Sequence, residues 1–209
     1  MSQTQRKRVG IVLFDDVEVL DFAGPYEVLT VTRLDESKRW ETESPFDVLL
    51  VAEHDRPVRC MGGMRVIPDT TLQNCPPLDL LVVPGGWGTR KEAGNKTLVG
   101  WIRERSGNAE LTASVCTGAR LLATAGILEG RRATTHWNSL PWLEQTFPGV
   151  RVEHELHVVD DGNLVTSAGI SAGIELSLEL VKRYHGDDVA RNTARFMEYR
   201  YPYDNTRRV

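Results

Sequence analysis

At 209 residues, 41% hydrophobic and 26% charged, the chain has the length and composition of a globular protein that can bury a full core. A formal net charge of −4 offers no strong basic field to nucleic acid or an anionic membrane, and the basic clusters Arg6-Lys7-Arg8 and Arg207-Arg208 read as solvated tails at the two termini. No apolar run reaches the roughly 18 residues that span a bilayer, and Asp15-Asp16 cut short any signal-peptide core after MSQTQRKRVGIVLF.

In chain order, RVGIVLF (8–14) is a β-branched apolar run suited to a strand buried on both faces. DVEVLDFAGPYEVLTVTRL (16–34) reads as a helix pair or a helix broken at Gly24-Pro25. FDVLLVAE (46–53) is a second buried strand, and Gly62-Gly63 within VRCMGGMRVIPDTTL mark a hairpin. LDLLVVPGG (78–86) is a third strand ending in proline and glycine. LVGWIRERSG (98–107) has helical period and a glycine to end it. ELTASV (110–115) and GARLLATAGILEG (118–130) follow as strand and helix, then SLPWLEQTF (139–147) as a short helix. Asp161-Gly162 predict a two-residue hairpin turn, SAGIELSLELVKRYHG (171–186) a long helix capped by glycine, and DDVARNTARFMEY a last one. Strands alternating with helices predict one α/β domain, a three-layer sandwich around a mostly parallel, flavodoxin-like sheet, with residues 1–7 and 203–209 as tails.

Cys60, Cys75 and Cys116 form an odd set without CxxC spacing, which argues against a disulfide framework and for the reducing cytoplasm. His154 and His157 are three apart in a stretch that reads as strand, where they would face opposite sides, so no metal site is expected there. Cys116 stands where a buried strand bends into a helix among small residues. That places a thiol above the carboxyl edge of the sheet, next to helix N–H groups that lower its pKa. The alternative is a small core residue at a tight turn, the usual fate of free cysteine. PGGWG (84–88) is either a strand-ending turn or a nest of backbone N–H groups facing an anion; it lacks the order of a nucleotide loop. Asp21 is a helix cap or a carboxylate pushed into a site, where burial raises its pKa. His136 is a base for Cys116 or a hydrogen-bonded structural histidine. Cys60 and Cys75 read as structural.

VLDFAGP, PGGWG, SVCTGARLLATAGILEGRRATTHW and DDGNLVTSAGISAGIE together resemble the ThiJ/PfpI superfamily, with its class I glutamine amidotransferase-like fold, over nearly the whole chain. Among its branches the isocyanide hydratases are the most similar. The resemblance implies Cys116 as the elbow nucleophile and Asp21 as the acid that contacts it. It also implies that the Thr117 N–H and hydroxyl line the site and that the Gly85 and Gly86 backbone faces the substrate anion. Ile170 is implied near the thiol; Trp87 and His136 are assigned with it to substrate binding, and His136 is given no base role. The implied reaction hydrates an isocyanide to an N-substituted formamide through a thioimidate, in a homodimer, on a small molecule, without metal or organic cofactor.

Two other readings stay open. One is a ligand-binding or redox-sensing domain like the N-terminal half of AraC-type regulators; a DNA-reading role is not expected, because only YPYDNTRRV follows the last predicted helix. The other is a different thiol enzyme of the superfamily. Aspartate at 21 weakens a glyoxalase or deglycase reading, and Thr117 in place of histidine weakens an amidase or peptidase one.

Overall fold

The computed structural model describes residues 6–202 and 204–207. The strands are β1 (Lys7–Leu13), β2 (Phe46–Ala52), β3 (Val58–Arg59), β4 (Arg65–Val66), β5 (Thr70–Thr71), β6 (Leu80–Val83), β7 (Leu111–Val115), β8 (Arg132–Ala133), β9 (Arg151–Val152), β10 (Val158–Asp160) and β11 (Leu164–Ser167). The α-helices are α1 (Val19–Val31), α2 (Thr89–Glu92), α3 (Lys96–Asn108), α4 (Gly118–Thr124), α5 (Leu140–Thr146), α6 (Ala172–His185) and α7 (Asp187–Phe196).

Seven strands form one sheet in the order β10-β11-β7-β6-β1-β2-β5, parallel throughout except for the β10–β11 pair. Its central strands carry the continuous apolar runs: Leu80, Leu81, Val82 and Val83 are fully buried, as parallel strands covered by helices on both faces must be. Helices α1, α6 and α7 pack together as one layer, and α2, α3 and α4 as another, giving the expected α/β/α arrangement. Parallel pairing aligns the carboxyl ends of β6, β7 and β11, with Val83 opposite Ser114 and Val115 opposite Ser167. The segments that leave these ends, Pro84-Gly85-Gly86, Cys116-Thr117 and Ala168-Gly169-Ile170, therefore emerge side by side.

Several local expectations are corrected. The break at Gly24-Pro25 is absent: α1 runs through Pro25 as one helix. Pro25 cannot donate to the Asp21 carbonyl, but α1 lies so close on α6 that a Cβ at Gly173 would stand 3.3 Å from Pro25 Cδ, and this packing compensates. Gly107 lies inside α3, whose end falls at Asn108, and α4 stops at Thr124 rather than reaching Gly130. The hairpin between β10 and β11 forms, but Asp161 N–H bonds the Leu164 carbonyl (2.8 Å), so Gly162-Asn163 are the turn residues. His154 and His157 lie in the bend between β9 and β10: His154 pairs with Glu144 (2.6 Å) and His157 is buried 3.7 Å from Glu175. Among the described residues no group of His, Cys, Asp and Glu is placed to hold a metal ion, and no helix is long and apolar enough to cross a membrane.

The expected tails are also partly corrected; residues 1–5, 203, 208 and 209 lie outside the described residues. Arg6, Lys7 and Arg8 pair with Glu43, Glu110 and Asp47, and Lys7 already belongs to β1. At the other end, Asn205 exchanges hydrogen bonds with Val158, and the Arg207 guanidinium bonds the carbonyls of Thr135 (3.1 Å) and His154 (2.6 Å).

The approach of α4 to β6 fixes where the elbow sits. A Cβ at Gly118 would run into the Val83 carbonyl, a backbone atom held in the sheet. Gly118→Ala is expected to lower stability by roughly 1–3 kcal/mol, read from the urea midpoint, because neither backbone can yield cheaply. An unchanged midpoint would mean that the contact is looser than described.

Candidate active site

The chain turns at Cys116 with φ 56°, a left-handed conformation uncommon outside glycine. Its N–H is shared between the carbonyls of Ser167 (3.2 Å) and Ala168 (3.1 Å), and its carbonyl accepts from Thr135 Oγ1 (2.8 Å). The strained residue is thus bonded on both sides, by the end of β11 and by the segment after β8. Behind it α4 starts at Gly118, where only glycine clears Val83.

Asp21 comes from the first turn of α1 and is fully buried. Its Oδ2 accepts the Gly85 N–H at 3.0 Å. Its Oδ1 is buried and has no hydrogen-bond partner, and the Cys116 thiol is close enough to the carboxyl to act on its charge. The space between is tight. A Cβ at Gly85 would lie 2.5 Å from Thr117 N, 2.6 Å from Thr117 Oγ1 and 2.8 Å from Asp21 Oδ2. Glycine at 85 is what lets the acid, the elbow and the end of β6 meet.

Gly85 and Gly86 do something other than expected. The Gly85 N–H is committed to Asp21, and the Gly86 N–H to Thr117 Oγ1 (2.9 Å), whose hydroxyl is also placed to donate to the Gly86 carbonyl (3.2 Å). The two glycines position the acid and Thr117, and the N–H pair assigned to a substrate anion is used inside the protein. The Thr117 hydroxyl is likewise engaged with Gly86; the Thr117 N–H, and after it the hydroxyl, also act on the thiol, favouring the thiolate.

Opposite the acid stands Gly169, which the sequence reading passed over. A Cβ there would lie 2.5 Å from Cys116 Sγ and 3.0 Å from His136 Cδ2, so the glycine separates thiol and imidazole at close range. His136 presents that carbon edge, while its Nδ1 accepts the Asn138 N–H (3.3 Å). Burial and the charge of Arg207 hold its pKa below the usual range, so the ring is neutral at pH 7. Ile170, joined to Gly169 by a cis peptide bond, is 38% exposed at the rim. Trp87 is also exposed; its backbone N–H meets Met61 Sδ (3.4 Å) and its ring lies against Arg90. Cys60 and Cys75 are buried away from these groups, and burial raises both thiols.

The electrostatics reverse one expectation. Cys116 is 5% exposed, and burial, followed by the nearby Asp21 charge, pushes its thiol well above the usual range. The N–H groups at the start of α4 pull the other way and lose. Burial also pushes the Asp21 carboxyl up to about 8, against the Gly85 N–H and the thiol, which favour its charge. Below about 8 the pair holds two protons, and above it one.

The profile of the DJ-1/PfpI family matches residues 7–183, from β1 into α6. The chain belongs to the DJ-1/PfpI family. Among curated relatives, the isonitrile hydratase of Pseudomonas putida is 36% identical over 192 residues, covering 92% of this chain and 78% of that protein. The HTH-type transcriptional regulator CdhR of Pseudomonas aeruginosa is 37% identical over 134 residues, 64% of this chain and 39% of the regulator. Among solved structures, a ThiJ/PfpI family protein from Pseudomonas syringae superposes with a TM-score of 0.82 at 27% identity, covering 96% of this chain and 78% of its own. Drosophila melanogaster DJ-1beta superposes with a TM-score of 0.77 at 22% identity, covering 94% of this chain and all of its own, and shares the fold.

The raised Asp21 gives a signed consequence. A carboxyl whose folded pKa exceeds its unfolded one stabilises fully below the unfolded pKa and loses that contribution as pH climbs toward the folded value. Between pH 5 and about 8 the stability of the wild type relative to Asp21→Asn should therefore fall, by up to about 1.4 kcal/mol per pH unit. Urea denaturation of both proteins across that window checks it; a rising difference would mean that the carboxylate is the form the fold prefers.

Proposed function

We propose that Cys116 and Asp21 hydrate an isocyanide to an N-substituted formamide. The observation that carries this reading is the buried pair of one thiol and one carboxyl, each acting on the other. The relation to an isonitrile hydratase over most of both chains supports the substrate class. A homodimer working in the cytoplasm belongs to the same reading.

The terminal isocyanide carbon accepts a nucleophile and a proton at the same atom, so one acid–base group beside one thiol suffices. Asp21, as carboxylate, takes the thiol proton while sulfur bonds to the carbon, then delivers that proton to the same carbon, giving a thioimidate. Water next attacks the thioimidate carbon and gives one proton to Asp21, which passes it to the substrate nitrogen and returns to the carboxylate. The tetrahedral adduct collapses to the formamide, the C–S bond breaks, and the remaining water proton restores the thiol. The C–H of the product thus comes from the thiol and its N–H and oxygen from water. His136, neutral and turned by its carbon edge, takes no proton in this sequence.

Hydration of p-nitrophenyl isocyanide should disappear in Cys116→Ala and drop roughly 10²–10⁴-fold in Asp21→Asn, while His136→Gln keeps most of its rate. An inert wild type would remove the isocyanide assignment, and an active Cys116→Ala would remove the thiol from the chemistry. Since the pair with one proton is the reactive form, kcat/KM should climb about tenfold per pH unit up to about 8 and then level. A flat profile from pH 6 to 9 would contradict Asp21 as the group that takes the thiol proton.

A further inference from the structure

Several arginines of this acidic chain meet a carboxylate, among them Arg39 with Glu36, Arg56 with Asp15, Arg131 with Asp161, Arg132 with Glu153 and Arg191 with Asp187. Arg90 and Arg120 are different. Among the described residues neither guanidinium has a hydrogen bond or an ion pair, and Arg120 Nε is buried with no acceptor. Each instead lies over an indole, Arg90 at 3.9 Å from the Trp87 ring centre and Arg120 at 3.3 Å from that of Trp142. Burial weighs most against the Arg120 charge, and the nearby charge of Arg90 adds to it by repulsion.

Their place in the fold matters as much as their lack of partners. Arg90 and Arg120 stand in the first turns of α2 and α4, which follow the adjacent parallel strands β6 and β7 and pack on each other. Arg120 lies one helical turn beyond Cys116, and its N–H bonds the Thr117 carbonyl (3.0 Å). Trp87 directly follows Gly86. Two like charges close to each other, each flattened on an aromatic ring, cost free energy unless something anionic completes them. A guanidinium fixed by stacking keeps its N–H edge free and presents a planar fork, the geometry that suits a carboxylate in two parallel hydrogen bonds.

We infer that Arg90 and Arg120, backed by Trp87 and Trp142, form a subsite for an oxyanion carried by the substrate, and that the substrate of Cys116 is an isocyanide bearing a carboxylate. The substrate part rests on the hydratase reading above; the oxyanion subsite stands on the two arginines alone. A phosphate ester shares the recognised chemistry, and the two sources are separable by experiment.

The test compares para-isocyanobenzoate with its methyl ester, which differ in charge and hardly in shape. Wild type should favour the acid roughly 10–100-fold in kcat/KM, chiefly through KM, and rising salt should erode the preference. Arg120→Met and Arg90→Met should each shrink the acid-to-ester ratio several-fold, while Arg120→Lys, which keeps the charge and loses the fork, retains part of it. Equal use of acid and ester by wild type, or a ratio unmoved in both Met variants, overturns the inference. Should no isocyanide be hydrated, the hydratase reading fails, and the subsite is tested on its own by tryptophan fluorescence with benzoate and phenyl phosphate. Saturable quenching that is lost in the double Met variant supports it, and the tighter ligand tells carboxylate from phosphate. Absent quenching, or quenching equal in the variant, overturns it. Far-UV circular dichroism of each variant shows that the fold persists.

Discussion

Two acids that cannot both ionise in the same dry space set the character of this site. Asp21 is fully enclosed and Cys116 nearly so; burial raises the cost of a charge on each, and the Asp21 charge raises it further on the thiol. In such a place a resting thiolate is expensive, and so is a resting carboxylate. One N–H, that of Gly85, is aimed at Asp21, and the Thr117 N–H and hydroxyl act on the thiol, which is too little to reverse the effect of burial. In the proposed hydration, nucleophilicity arises when the proton moves between the two groups, and the geometry that keeps carboxyl and thiol together is what that reaction draws on.

That geometry is built from absent side chains. Gly85 lets Asp21 and Thr117 reach the end of β6, Gly118 lets α4 begin against Val83, and Gly169 lets the thiol and His136 approach from opposite sides. Each glycine comes from a different strand-to-helix connection, and the parallel register of β6, β7 and β11 brings the connections level. The left-handed φ of Cys116 is a strained element of the site, and it is held by Ser167, Ala168 and Thr135 rather than by its own turn. A backbone conformation costing on the order of 1–3 kcal/mol persists only where its surroundings over-determine it, and here the rigid middle of the sheet supplies that.

Much of this was legible in the residues. Continuous apolar runs at 80–83 and 111–115, each followed by glycine-bearing turns, specified buried parallel strands with a site at their carboxyl ends. The resemblance then joined Asp21 to Cys116 across nearly a hundred residues, which no local pattern could do. What escaped depended on who packs against whom. Pro25 looked like a break because its lost hydrogen bond is a local fact, whereas the contact with Gly173 is not. Gly85 and Gly86 looked like donors to a ligand because sequence shows that an N–H is free to point outward, not that Asp21 and Thr117 already hold it. Gly169 carried no signal beyond the SAG triplet, and Arg120 none at all, since the missing partner of a charge is visible only in three dimensions.

The direction of the thiol's shift also bears on how the enzyme and sensor readings compare. A redox-sensing cysteine is oxidised as its thiolate and is typically low in pKa and open to solvent. Cys116 is neither, being buried and raised by the carboxyl beside it. Peroxide offers sulfur an electrophilic oxygen but does not need a proton at the atom that sulfur attacks, so Asp21 has little to contribute there beyond suppressing the thiolate. An isocyanide carbon takes sulfur and proton together, and a neighbouring acid that suppresses resting thiolate can deliver that proton as the bond forms. The same burial that makes Cys116 a poor sensor suits it to an acceptor of this kind, and Asp21 is the feature that separates the two chemistries.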